Sequence, residues 1–263
     1  MKLACVTMIL LKQELPFLKE WLQHLAGHGF EHVWIYYELQ PVDGDWGADD
    51  KWGKKPGHTA FSGTDAQAIA MADRICQAAP LNVELRPQLA VHKNVGYRQS
   101  QVGKSLQQEY LDGGFDWVTF LDVDEYIVSP DLMAVLAEIS EPDVAEIAMP
   151  QKLFRGRYEP ETAIVSLPST ITENHGIVPQ SPKHFFCPRR TKFGQVHSSR
   201  KMHSLRIVRA APAVLRFHHF YTFPFAVDRI PENFHGVVKY MEYVGLPYPY
   251  NDDTHTQHLN LPS

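Results

Sequence analysis

The chain has 263 residues, 44 % of them hydrophobic, enough to bury one large core in one or two domains. A formal net charge of −5 and a pI near 6.3 give no global basic field, and no long Lys/Arg block marks a nucleic-acid tail. That balance argues against bulk nucleic-acid binding. Three cysteines, Cys5, Cys76 and Cys187, are odd in number and far apart, which fits neither a disulfide framework nor a paired zinc motif and points to a reducing compartment.

At the amino end, "LACVTMILL" (3–11) is a continuous apolar run suited to a strand covered on both faces. Its resemblance to a signal h-region ends at Lys12, Gln13 and Glu14, with no small-residue cleavage site after them. "PFLKEWLQHLAGHGF" then sets Phe17, Leu18, Trp21, Leu22 and Leu25 at helical spacing, with Pro16 expected in the first turn and Gly27 and Gly29 ending the helix. "HVWIYY" (32–37) is the next strand, completing the crossover unit of a parallel sheet. Residues 39–63 are rich in Gly, Asp, Lys and Pro and read as a long functional loop.

A helix over about 64–78 and a short strand at 82–86 return the chain to the sheet. Val102, Leu106 and Tyr110 fall four apart on a helix stopped by Gly113-Gly114, which delivers the chain into "WVTFLDVDEYIV". Ser129-Pro130 is read as the cap of a helix carrying Leu132, Val135, Leu136 and Ile139. Beyond residue 145 the alternation weakens into strand-like pieces, "AEIAMP" and "TAIVSL", and then a loop-rich stretch dense in His, Lys and Arg. No run approaches the roughly 20 apolar residues of a spanning helix, so a soluble protein is expected, with peripheral contact at a membrane surface left open.

The chemistry concentrates at "FLDVDEYI" (120–127). Asp122 and Asp124 are expected at the carboxyl end of a buried strand, where open α/β sheets bind ligands, and two residues apart in extended chain they face one side. Two hard oxygen ligands suit Mg²⁺ or Mn²⁺ when a ligand's phosphates complete the coordination. Solvated turn acids are the alternative; the buried run before them and "EYI" after them weigh against it.

"KQELPFLKEWLQHLAGHGFEHVWIYY", "WVTFLDVDEYIV" and "RFHHFY" together resemble, in order and approximate spacing, the DxD glycosyltransferases of the GT-A fold related to families 2 and 92. The resemblance covers about residues 3–130 well and 197–240 loosely. It implies a single GT-A domain over 1–263, a Rossmann-like α/β fold with a mixed, mainly parallel sheet flanked by helices. Residues 1–130 would be the nucleotide-sugar half and 131–263 an irregular acceptor half. It also implies that Asp122 and Asp124 hold Mn²⁺ or Mg²⁺ against the diphosphate of a UDP-sugar, UDP-galactose or UDP-glucose being the guess, with a saccharide as acceptor.

By the same resemblance His219 would be a further metal or diphosphate ligand, although His218 stands where the family has Asn and Phe220 where it has Tyr. Glu125 matches the family's Glu, in a structural or acceptor-side role. Glu14 would lie beside the nucleotide base, unless it serves only the helix dipole. Glu38 stands where the family has an Asp-rich turn and would replace a base- or ribose-contacting acid.

Arg98, Gln99 and Lys104, on the helix before the DxD strand, are candidates to meet the diphosphate, or else form a solvated helix face. His197, Arg200, Lys201, His203 and Arg206 in "HSSRKMHSLR" could gather near the phosphates or an anionic acceptor, or form a basic surface strand. Inversion, which the resemblance favours, needs a general base, and Glu173, Glu161 and Glu159 are the candidates; no spacing rule separates them. The expected setting is cytoplasmic, at most at the inner membrane face.

Two other classes compete. A phosphohydrolase of the haloacid-dehalogenase type also places DxD after a buried strand, but near the amino end and with Thr or Val where Tyr126 stands. A non-catalytic nucleotide-sugar-binding protein would account for the departures at Gln13, Glu38 and His218. No GxGxxG follows the first strand, which disfavours a dinucleotide dehydrogenase.

Overall fold

The computed structural model describes residues 1–39, 63–88, 95–155, 173–195, 198–201 and 205–221. Strand β1 (Leu3–Leu10) leads directly into helix α1 (Leu11–Gly27), and β2 (Phe30–Glu38) pairs parallel to β1. The helix begins a turn earlier than Pro16 suggests. Its first turn is held by Glu14, whose Oε2 accepts the Leu10 backbone N–H at 2.6 Å and so meets a donor that the helix start leaves open. Gly29, at φ +82°, makes the left-handed exit that the glycine-rich end predicts.

Helix α2 (Asp65–Gln77) opens on a reciprocal capping box between Thr64 and Gln67, and β3 (Asn82–Pro87) then pairs parallel to β2. The helix expected through Val102, Leu106 and Tyr110 divides at Leu106 into α3 (Val95–Ser105) and α4 (Gln107–Asp112). Ser105 Oγ donates to Val102 O at 2.8 Å, a local bond that competes with the helical ladder at the break.

"WVTFLDVDEYIV" departs from a single strand. It forms β4 (Trp117–Phe120), a turn at Val123–Asp124, and β5 (Glu125–Val128), which belongs elsewhere in the same sheet. The next helix, α5 (Leu132–Ile139), is capped by Asp131 and not by Ser129: Asp131 Oδ1 accepts the Ala134 N–H at 3.0 Å.

In the second half β6 (Val144–Arg155) includes "AEIAMP", whereas "TAIVSL" lies outside the described residues. Glu173, expected in a loop, instead opens a long strand, β7 (Glu173–Phe186). Strands β8 (Thr191–Gln195) and β9 (Ser198–Lys201) form a separate two-stranded sheet, followed by β10 (Arg206–Arg209) and β11 (Arg216–Tyr221).

The large sheet runs β3-β2-β1-β4-β7-β6-β11-β5, with β10 also on β6. Pairs among β1 to β4 are parallel; β7 is antiparallel to both β4 and β6, and β5 is antiparallel to β11. This is the mixed, mainly parallel sheet flanked by helices that the sequence implies, and strands from both halves of the chain build it.

The period of two along β1 explains its wholly apolar sequence. Leu3, Cys5 and Ile9 join the core under α1, α2 and α5, while Ala4, Val6 and Met8 join the core under α3 and α4. In that second core Gly103 of α3 lies so close to Phe193 of β8 that an added Cβ would run into the ring. Gly103→Ala is therefore expected to destabilise the protein by about 1–3 kcal/mol in urea unfolding, and a companion Phe193→Leu to recover part of that loss.

Candidate functional site

The parallel strands end on one side of the sheet, and the order β2-β1-β4 makes the gap beyond β1 and β4 a topological switch point, where such sheets form a ligand crevice. The acidic turn follows β4 at that point. It is closed by Glu125 N–H donating to Asp122 O at 3.0 Å and by Asp122 N–H donating to Glu125 Oε2 at 2.9 Å. Asp122 and Asp124 thus flank a turn and not extended chain, and their carboxylates meet different partners.

Lys183 answers the crowding of the acids. Its Nζ lies 2.9 Å from Asp122 Oδ2 and 2.8 Å from Glu125 Oε2, and its side chain is only 3 % exposed. It arrives from β7, where pairing of Phe185 and Phe186 with Thr119 and Val118 carries the strand past the end of β4. Sequence reasoning missed it. The signal present was alternation: Lys183 shares its strand face with Phe185 and Cys187, both members of the buried core, so a lysine at that position needs an acid partner.

Burial pushes the Glu125 carboxyl up to about 7; Lys183 pulls it down, while Asp122 adds to the rise. Burial also works against a charge on Lys183, yet Asp122 and Glu125 together hold its ammonium above the ordinary lysine range. Lys183 is therefore a fixed positive charge beneath the turn.

Asp124 points to a different partner. His219 Nε2 lies 3.5 Å from Asp124 Oδ2, and His219 Nδ1 lies 2.6 Å from Gln151 Nε2 and 3.8 Å from Glu125 Oε1. Pairing of His219 with Glu125 between β11 and β5 sets this approach. Burial opposes a charge on the imidazole, but Asp124 foremost, with Glu125 and Asp122, outweighs it and raises His219 above its ordinary value. Side-chain exposure runs from 29 % at Asp122 through 16 % at both Asp124 and His219 to 2 % at Glu125, so Asp122 is the most open of these acids. Among the described residues no three His, Cys, Asp or Glu side chains are grouped as a metal-ligand set.

Helix α3 ties neighbouring strand ends together. Gln99 Nε2 donates to Asp122 Oδ1 at 3.2 Å, and the adjacent Arg98 grips Glu38, at the end of β2, through Nε–Oε1 at 2.6 Å and Nη2–Oε2 at 3.0 Å. Arg98 and Glu38, assigned separately to the donor from sequence, are thus brought to one another and buried. Glu14 supports the start of α1, the dipole-side alternative of the sequence reading. Lys104 is exposed in the last turn of α3, with no described contact at the strand ends.

Of "HSSRKMHSLR", Arg200 and Lys201 fall in the separate β8–β9 sheet. Arg206 is exposed and pairs with Asp143 at 2.6 Å and with Glu141. His197, His203, Glu159, Glu161 and the side chain of Glu173 lie outside the described residues, as does the loop segment 40–62. Among the described residues no helix is long and apolar enough to cross a membrane.

No protein-family model matches the chain, and no curated protein matches its sequence. Among solved structures, S. aureus TarS aligns over 98 % of this chain at 16 % identity with a TM-score of 0.43. A second structure, S. aureus TarS 1-349, aligns over 98 % at 15 % identity, also with a TM-score of 0.43. The chain spans 42 % of the first of these and 69 % of the second. Likeness of that degree carries no argument about activity.

The Arg98–Glu38 pair offers a direct test of how the crevice floor is held. Arg98→Leu, which strands a buried carboxylate, is expected to cost about 3–5 kcal/mol in urea unfolding, and adding Glu38→Leu to return much of it.

Proposed function

We propose that the chain is a metal-dependent glycosyltransferase that moves a sugar from a nucleoside diphosphate sugar, a UDP-hexose by the sequence resemblance, to a saccharide acceptor with inversion. The observation that carries the reading is the position of the acidic turn at the carboxyl ends of parallel strands, at the switch point of the sheet. A nucleotide lying across that crevice would have its diphosphate over Asp122–Asp124.

Asp122 and Asp124, with His219 beside Asp124, are the residues that would hold a hard or borderline divalent ion. Bound there with the donor, Mn²⁺ or Mg²⁺ supplies Lewis-acid stabilisation of the leaving diphosphate. The chain's own residues do the positioning. Gln99 and Lys183 fix the Asp122 carboxylate from two directions, and Glu125, bonded to the Asp122 N–H, fixes the turn itself.

The test is a thermal-shift screen of UDP, GDP, CMP and dTDP with and without Mn²⁺. UDP with Mn²⁺ is expected to raise Tm, since a ligand at 100 times its Kd adds about 2.7 kcal/mol to native stability. Asp124→Ala is expected to abolish the metal-dependent part of the shift while the folded far-UV spectrum is kept. No metal-dependent shift with any nucleotide would remove the reading, and phosphate release from simple phosphomonoesters would replace it with hydrolase chemistry.

A further inference from the structure

We propose that the trough between α1 and α2 binds a free long-chain carboxylate, its hydrocarbon chain lying along the trough and its head group between Lys19 and Arg74. The site is separate from the acidic turn, and the proposal is independent of the nucleotide-sugar reading.

Local structure explains why the trough exists. Both helices pack on the same core, over the same face of the sheet. Lys12 Nζ meets Asp65 Oδ1 at 3.0 Å and ties their first turns together, while the fully buried Ala68 and Ala72 let α2 lie close over the core. Farther along, where α2 ends at Gln77 and the chain passes through Pro80 toward β3, an open trough of about 410 Å³ remains between the two helices. Because β3 begins at Asn82, this is the end of the sheet where the parallel strands start, opposite the crevice.

The trough has an apolar floor and a cationic rim. Leu22, Met71, Ile75 and Ala79 form the floor; Leu22 is buried, and the other three are packed on the core but only partly covered. Contiguous apolar surface left open to water marks a place where something binds. Lys19 stands exposed on the α1 side and Arg74 on the α2 side. No carboxylate lines the trough. Arg74 Nε donates to Ala70 O of its own helix, and neither cation has an acid partner among the described residues.

Size and charge select the occupant. A space of this volume falls in the range of small-molecule sites. Axes of packed helices lie about 8–10 Å apart, so the furrow between them takes a single hydrocarbon chain and is too narrow for a third helix of about 10–12 Å diameter. A flat bilayer surface does not enter such a furrow, and the net charge of −5 works against an anionic leaflet. A single chain with a negative head covers the floor and gives both rim cations a counter-charge. A neutral or cationic head group leaves them without one.

The experiment is calorimetric titration of the full chain with laurate, octanoate and dodecyltrimethylammonium, each kept below its micelle concentration. Laurate is expected to bind saturably at one site, more tightly than octanoate by up to about fourfold per methylene, and more tightly than dodecyltrimethylammonium, whose chain is the same length. Lys19→Glu/Arg74→Glu, which reverses two exposed charges, is expected to weaken laurate about fivefold to tenfold and to favour the cationic amphiphile. Ala78→Trp, at an exposed position on the trough wall, is expected to abolish saturable binding of both while Tm is kept. Absence of saturable laurate binding, equal affinity for the two head groups, or laurate affinity unchanged by the charge reversal overturns the proposal. So does binding to phosphatidylglycerol vesicles that Ala78→Trp removes while monomeric laurate does not bind, which makes the trough a membrane contact. Dimerisation in sedimentation velocity that Ala78→Trp removes, again without laurate binding, overturns it in favour of a second copy. Should either variant fail to fold, the head-group and chain-length comparison on the wild type decides.

Discussion

A lysine ammonium held between two carboxylates beneath the acidic turn is the contact on which the arrangement of the crevice depends. Three acids within four residues, one of them fully buried, could not sit at the end of a core strand without a cation of fixed position. Supplying it from β7 dictates topology: that strand must lie beside β4 and run antiparallel to it, so that the residue two places before Phe185 reaches the turn. Part of the mixed character of the mainly parallel sheet is thus tied to the charge balance of the site. The same turn is anchored from α1, where Trp21 Nε1 donates to Glu125 O at 3.0 Å and the His24 imidazole meets Ile127 O at 2.9 Å.

Helix α3 provides the second constraint. Consecutive residues on a helix point about 100° apart, so Arg98 and Gln99 can address two different strands. Arg98 takes Glu38 at the end of β2, Gln99 takes Asp122 after β4, and Ser100 Oγ donates to Gly194 O of the smaller sheet. One turn of helix therefore fixes the spacing of the crevice walls. It also redirects the expectation for Arg98: its guanidinium is paired with Glu38, so it contributes to the crevice by holding Glu38 and β2 in place.

The legibility of this fold in its sequence follows the range of the interactions involved. The strands and helices from Leu3 to Pro87 were readable because period and punctuation are local properties: alternating burial in β1, the Trp21 face of α1, the Thr64 cap, Gly29 at positive φ. The sequence also marks Asp122, Asp124 and His219, and the structure sets His219 against Asp124. The division of "WVTFLDVDEYIV" into β4 and β5 was not, because β5 is stabilised by β11, some ninety residues further on, and nothing within the segment encodes that partner. Lys183 was hidden for the same reason, since a lysine in an apolar strand announces a buried charge without naming its acid. The pairing of Arg98 with Glu38 likewise joins residues whose local contexts suggested two independent roles.

The imidazole of His219 shows how finely such a site depends on its supporting shell. Its Nδ1 faces the amide nitrogen of Gln151 at 2.6 Å, a donor, so the neutral ring in this arrangement accepts at Nδ1 and carries its proton on Nε2, toward Asp124. That tautomer donates from Nε2 to Asp124, and the charged ring that Asp124 favours pairs with it as an ion. Turning the Gln151 amide end for end, an almost isosteric change, presents oxygen to Nδ1, stabilises the proton there and frees Nε2. Two tautomers of the same ring thus differ by the orientation of one amide on β6. With Lys183 below the turn and Gln151 beside the imidazole, the charge and proton positions around the motif rest with residues that are not themselves its acids.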